Sequence, residues 1–152
     1  MIRKARISDA ETIYGLISRW SKQSKVLPRP LNYIYENLRD FWVYEQKKKV
    51  VGACALHVVG WQGLAEVKSL VVAKRLQGRK IGTEMVQSCL KEAEDLGIET
   101  VFALTFVPGF FRTLGFRRID KGKLPHKIWS DCVNCVFFPH KCKEEAVALK
   151  IK

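Results

Sequence analysis

The chain mixes short runs of two-residue periodicity with two longer runs at helical spacing. Ile2 to Ile7 alternates weakly and predicts a first strand. Ser8-Asp9-Ala10-Glu11 has the form of a capping box, and Ile13, Leu16, Ile17 and Trp20 follow on one face, so a helix is expected from near Asp9. The polar stretch 21–30, punctuated by Pro28 and Pro30, reads as a loop. Leu31 to Leu38 reads as a short helix with Tyr33, Ile34 and Leu38 inward. Phe41 to Glu45, Val50 to Val59 and Ala65 to Val72 read as three antiparallel strands in series. The polar turn Gln46-Lys47-Lys48-Lys49 joins the first two, and Gly60-Trp61-Gln62-Gly63 the second and third.

Thr83 to Leu96 is the strongest helical pattern, with Met85, Val86, Cys89, Leu90 and Ala93 on one face and Gly97 as its stop. Thr100 to Val107 reads as a strand buried on both faces, broken by Pro108-Gly109. A short helix from Phe110 to Leu114 and a strand from Phe116 to Ile119 follow. Residues 120–143 read as irregular, and Glu145 to Ile151 as a final strand. The order of elements predicts an α+β architecture in three layers, with helices flanking one sheet.

The stretch 65–97 organises the rest. An apolar strand meets a basic, glycine-bearing turn that opens directly into a long helix. Such a turn aims backbone N–H groups and the positive end of the helix dipole at one spot, which suits phosphate. Lys74, Arg75, Arg79 and Lys80 beside it carry the sign a pyrophosphate or a 3′-phosphate needs.

Composition narrows the classes. With 152 residues, 47% of them hydrophobic, the chain fits a single packed domain over 1–152. No apolar run approaches the length of a membrane span, and no apolar segment follows Arg3, Lys4 and Arg6 as a secretory signal would require. Five cysteines, an odd number, fit a reducing compartment, so a cytoplasmic location is expected. The net charge of +12 admits nucleic acid as partner, or a polyanionic cofactor or acidic substrate. The charge is scattered and lacks aromatic residues interleaved with basic ones on a strand, which argues against a nucleic-acid surface.

Element order and the turn Gln77-Gly78-Arg79-Lys80-Ile81-Gly82 resemble the GCN5-related N-acetyltransferases, whose signature is Gln/Arg-x-x-Gly-x-Gly/Ala. Gln77 and Gly82 match, whereas Lys80 stands where that family most often has glycine. A left-handed backbone at Lys80 would cost energy. The stretches AEVKSLVV, VFALTFVPGFFRTLGFRRID, KLPHKIWSDCVNC and FPHKC resemble the short, standalone N-acetylglutamate synthases more specifically. The resemblance implies a mostly antiparallel central sheet of about seven strands. It also implies acetyl-CoA as co-substrate and L-glutamate as acceptor, in the first step of arginine biosynthesis, by direct attack in a ternary complex. A homodimer is compatible with it, and no nucleic-acid or membrane partner is expected. A different acceptor amine is the alternative within the family.

The resemblance also assigns roles. Glu66 occupies the carboxylate position of the general base. Leu70, Val71 and Val72 lie on a strand that splays from its neighbour, with the Val72 N–H a candidate donor to the thioester carbonyl. Gln77, Gly78, Arg79, Lys80, Ile81, Gly82 and Thr83 would take the pyrophosphate. Arg29, stiffened between two prolines, matches a substrate-carboxylate arginine, and Lys68 and Lys127 are further candidate cations. Thr105 and Phe106 would line the acceptor cleft. Phe110, Phe111 and Phe116 flank the pantetheine position as core or cleft wall. Tyrosine does not occur after Tyr44, so the thiolate acid is left to solvent or His126. Cys132-x-x-Cys135 with His140 and Cys142 has metal-ligand character, set against a reading as reduced thiols in a loop. Cys54 and Cys89 read as core, and His57 as a strand residue without chemistry.

Overall fold

The structure, a computed structural model, describes residues 1–23, 26–60, 63–120 and 144–151. One seven-stranded sheet runs through it in the order β1-β2-β3-β4-β5-β7-β6. The strands are β1 (Ile2–Lys4), β2 (Phe41–Gln46), β3 (Lys49–Val58), β4 (Leu64–Val72), β5 (Thr100–Thr105), β6 (Arg117–Ile119) and β7 (Glu145–Lys150). Only β4 and β5 pair parallel among the described strands; the other pairs are antiparallel. The helices are α1 (Ala10–Ser21), α2 (Leu31–Glu36), α3 (Ile81–Leu96) and α4 (Pro108–Thr113).

Strand alternation divides the core. Val51, Cys54, Leu56 and Val67 pack under α3, against Met85, Val86, Cys89 and Ala93. Phe41, Val43, Ala53, Ala55 and Val71 face the other way, against Ile13, Ile17 and Trp20 of α1 and Ile34 of α2. Gly52 lets α3 pack close against the sheet, for a Cβ there would sit 2.9 Å from Met85 Cε and 3.3 Å from the Val71 carbonyl oxygen.

Several element ends differ from the sequence reading. The Ser8–Glu11 box is replaced by Asp9, whose carboxylate accepts the Arg6 N–H at 2.7 Å and the Arg3 guanidinium at 2.8 and 3.1 Å. Pro108-Gly109 ends the strand as expected, and Pro108 also begins α4, two residues before the expected Phe110, because its missing N–H falls where a first helical turn has no acceptor to offer. The helix α3 starts at Ile81, two residues early, since Lys80 at φ 63° serves as its N-cap. At its other end Gly97 at φ 81° lets the Ile98 N–H reach the Ala93 carbonyl at 2.9 Å. The polar turn between β2 and β3 is a two-residue loop, Lys47 and Lys48, both left-handed.

Two irregularities in β4 shape what lies beside it. Ala53 pairs with Val71 but Ala55 pairs with Lys68, so β4 carries one extra residue at Ser69-Leu70. Ser69 takes φ 56° to absorb it, a bulge that re-aims the strand. The pairing of β4 with β5 covers only Leu64–Glu66 against Thr100–Phe102. Beyond Glu66 the two strands part, and a cleft opens between them.

Candidate active site

The cleft has a donor-bearing wall. The Ala73 N–H bonds the Val51 carbonyl at 2.7 Å, so that residue faces β3. Backbone polar groups alternate along a strand, which turns Val71 toward β3 and Leu70 and Val72 into the cleft. On that side the Val72 carbonyl accepts the indole N–H of Trp20 at 3.0 Å. Trp20 thus ties α1 to the splayed end of β4, a contact that the sequence reading of Trp20 as core did not include.

An open groove of about 460 Å³ runs along this wall. Leu70 and Val72 line it with Leu76, Gln77, Gly78, Lys80, Ile81, Gly82 and Thr83, and Val107 and Phe110 close the far side. The N-terminus of α3 therefore opens onto the same space as the splayed strand, as anion binding requires. Two left-handed residues, Gly78 at φ 83° and Lys80 at φ 63°, curve the chain around it. Leu76, ending a 3₁₀ turn over Lys74–Leu76, is buried and anchors the loop to the core.

Not every expected residue reaches the groove. Val71 is 3% exposed and packs against α1, because alternation sends its side chain to the opposite face from Leu70 and Val72. Arg79, Lys74 and Arg75 are exposed at the loop and outside the groove lining. Val107 was missed, since nothing in its own sequence ties it to a turn thirty residues earlier. Phe110 stacks edge-on against Phe111 at 5.1 Å, and Phe111 against Phe116 at 5.1 Å, so two of the three rings are core and one is groove wall.

A second, smaller cavity lies on the α1–α2 side of the sheet. Arg29, Glu66, Lys68 and Glu144 line it, with Leu104 and Ser69. Glu66 is 2% exposed. The Arg29 guanidinium sits 4.9 Å from the Tyr33 ring centre and the Lys68 ammonium 5.1 Å from the same ring. One aromatic residue of α2 thus brings together two cations that are thirty-nine positions apart in sequence. Tyr33 was read only as an inward residue of its helix and Glu144 was not singled out, because their roles depend on which elements the fold stacks.

Thr105 is placed differently from the expectation. It shares its side of β5 with Val101 and Ala103, the α3 side, and its hydroxyl accepts the Val107 N–H at 2.8 Å. Leu104 lines the small cavity in its place, as two-residue alternation dictates. His57 lies directly opposite Glu66 in the β3–β4 register, and its Nδ1 is 2.6 Å from Asp40 Oδ2. Cys54 and Cys89 are both buried, with sulfurs 3.7 Å apart. The Cys54 contact, helped by burial, pushes the Cys89 thiol well above its ordinary range. Lys127, His126 and the Cys132, Cys135, His140 and Cys142 set lie outside the described residues. Among the described residues no group of three His, Cys, Asp or Glu could hold a metal ion, and no helix is long and apolar enough to cross a membrane.

Comparison with known proteins places this geometry. The model of the acetyltransferase (GNAT) family matches residues 8–116. An uncharacterized N-acetyltransferase of Chlorobaculum tepidum is 35% identical over 134 residues, covering 88% of this chain and 86% of the relative. An amino-acid acetyltransferase of Mycobacterium tuberculosis is 37% identical over 123 residues, covering 79% of this chain and 70% of the relative. The crystal structure of a Mycobacterium tuberculosis protein in complex with CoA superposes with a TM-score of 0.86 at 29% identity, over 100% of this chain and 99% of that one. The N-acetylglutamate synthase of Neisseria gonorrhoeae, complexed with coenzyme A and N-acetyl-glutamate, gives a TM-score of 0.89 at 22% identity. There the match covers 100% of this chain but 35% of the other, and it speaks for the fold alone.

Proposed function

Because the chain belongs to the acetyltransferase (GNAT) family, an acetyl-CoA-dependent class of N-acetyltransferases, we propose that it acetylates the α-amine of an amino acid, L-glutamate. One observation carries the choice of acceptor. Arg29 and Lys68 converge on Tyr33 beside the buried Glu66. Two cations next to a carboxylate suit an amino dicarboxylate, whose acids pair with the cations while its ammonium meets the anion. The net charge of +12 adds a general attraction for anionic substrates. The amino-acid acetyltransferase relative from Mycobacterium tuberculosis supports the same reading.

The residues divide the work as follows. Acetyl-CoA supplies the acyl group as a thioester. The α3 N-terminus and the turn from Gln77 to Thr83 hold its diphosphate, and Leu70, Val107 and Phe110 flank the arm that follows. The Val72 N–H, in the cleft where β4 leaves β5, hydrogen-bonds the acyl oxygen as charge builds on it. Glu66 takes the proton from the acceptor ammonium, so that a neutral amine attacks. Trp20 keeps Val72 aimed by holding its carbonyl.

CoA release measured with a panel of amines decides the matter. Glutamate should release CoA faster than aspartate, glutamine, polyamines or a peptide amine. Release with another amine and none with glutamate would leave the reaction class standing and remove the acceptor.

A further inference from the structure

We propose that His57, held by Asp40, is the proton exit of the acetyl-transfer site, carrying off the proton that Glu66 removes from the acceptor. This rests on the reading of Glu66 as base. A base that is 2% exposed must shed a proton in every turnover, and it does not reach solvent by itself.

The sheet puts an imidazole where such a proton could go. His57 is the direct cross-strand partner of Glu66, and directly opposed residues in an antiparallel pair stand on the same face with Cβ atoms about 5 Å apart. The side chain of His57 is 32% exposed, so the pair forms a step from the interior to the surface. The cavity at Glu66 has a volume of about 40 Å³. That exceeds the ~10–15 Å³ one water occupies, so Glu66 has room for a water on its cavity side.

Asp40 fixes the direction. Its Oδ2 lies 2.6 Å from His57 Nδ1. An ionised carboxylate only accepts, so Nδ1 carries the hydrogen and the lone pair is on Nε2. The proton leaves the Glu66 carboxyl oxygen and bonds to Nε2 of its cross-strand neighbour. The imidazolium, still hydrogen-bonded to Asp40, then releases the same proton from Nε2 to bulk water or buffer. No bond other than O–H and N–H changes.

The charges around the ring are consistent with a transient cation. Asp40 comes from the 3₁₀ turn at Leu38–Asp40, and Glu66 and Lys68 from β4. On the β2 side the neighbour on this face is Phe41, opposite Ala55, which is apolar. Arg29 and Tyr33 stand one step further, over Lys68. Arg39 is exposed next to Asp40. Asp40 and Glu66 are thus the carboxylates beside His57 on these elements, and Lys68, Arg29 and Arg39 the cations.

The test compares His57→Asn and His57→Gln with the wild-type chain across pH and buffer concentration. The expected result is a fall in kcat of about tenfold or more, an unchanged KM for acetyl-CoA, and restoration by free imidazole in the assay. Asp40→Asn should lower kcat in the same direction as the His57 variants, because it removes the carboxylate bonded to Nδ1. A merely structural pair would lower the melting temperature, and imidazole would not restore the rate. Wild-type rates in both His57 variants at every pH and buffer concentration overturn the proposal, as does a loss that imidazole leaves untouched. Glu66→Gln separates the two readings. If it is as fast as wild type, the base assignment falls and the exit with it. If it is slow while the His57 variants are fast, the exit alone falls.

Discussion

Lys80 bears a cost that its neighbours do not. At φ 63° its Cβ crowds the following carbonyl, a strain of about 1–2 kcal/mol for a residue other than glycine. Replacing it with glycine removes the strain but frees the unfolded chain by about 0.4–1 kcal/mol. Lys80→Gly should therefore stabilise the fold by about 0.5–1 kcal/mol, seen as a rise of about 2 °C in melting temperature. Lys80→Ala retains the strain and should not rise; a gain in both variants would mean that lysine's charge, not its backbone, is the unfavourable part. Trp20 offers a second residue-scale test. Trp20→Phe retains most of the packing against α1 and the sheet but removes the 3.0 Å donor to the Val72 carbonyl. The expected cost is about 1–2 kcal/mol of stability. The fall in kcat should exceed any rise in KM, because the lost bond aims the cleft donor and holds no substrate. Unchanged kcat would show that Val72 is positioned by the bulge alone. The departure at Lys80 was legible in the chain, since one position in the turn lacked the usual glycine. The Trp20 bond was not, because apolar periodicity says which face an indole is on but not what its N–H meets.

The hairpin joining β2 and β3 turns on Lys47 and Lys48, at φ 51° and 63°. Two left-handed residues in a two-residue loop match the right-handed twist of the strands, but the geometry favours Asn-Gly. The double change Lys47→Asn with Lys48→Gly should raise stability by about 1–2 kcal/mol in denaturant titration, with the slope unchanged. A loss would mean that the lysines make surface contacts worth more than the backbone strain. At this scale most strands and helices were readable from their local period, though Ile2 to Ile7 alternates only weakly, and the turn between Leu76 and Thr83 was readable because its chemistry is local. The bulge at Ser69 was not. It appears only as a mismatch between two strands, Ala53 with Val71 and Ala55 with Lys68, and neither strand shows it alone. The same holds for Thr105. Its place on β5 was foreseen, but which face it takes depends on the register that sends Leu104 to the cavity.

The whole molecule is tied at its start by one ion cluster. Arg3 of β1 reaches Asp9, just before α1, at 2.8 Å and Glu45 of β2 at 3.0 Å, and Asp9 also accepts the Arg6 N–H at 2.7 Å. Glu45 itself was read only as the end of a strand; forty-two residues separate it from Arg3, and no local pattern could join them. The Arg3 guanidinium holds the Asp9 carboxyl below its ordinary 3.8; burial opposes this, and the Arg6 N–H adds to the lowering. The sign follows from that direction. A carboxyl with a lower pKa when folded contributes fully above the unfolded value near 3.8, and its contribution disappears as pH falls through the folded value. Acid unfolding below about pH 4 should therefore include the release of this link, and the rising positive charge of a chain already at +12 adds repulsion in the same window. Asp9→Asn should destabilise the protein by about 2–3 kcal/mol at pH 7, since it leaves a largely buried guanidinium short of its charged partner. At pH 3 the gap between variant and wild type should narrow. Denaturant midpoints at the two pH values measure both numbers. A constant gap would show that the charge on Asp9 is not its source; because an amide oxygen at position 9 can still accept the Arg6 N–H, the loss would then lie in the two-oxygen acceptance of the Arg3 guanidinium.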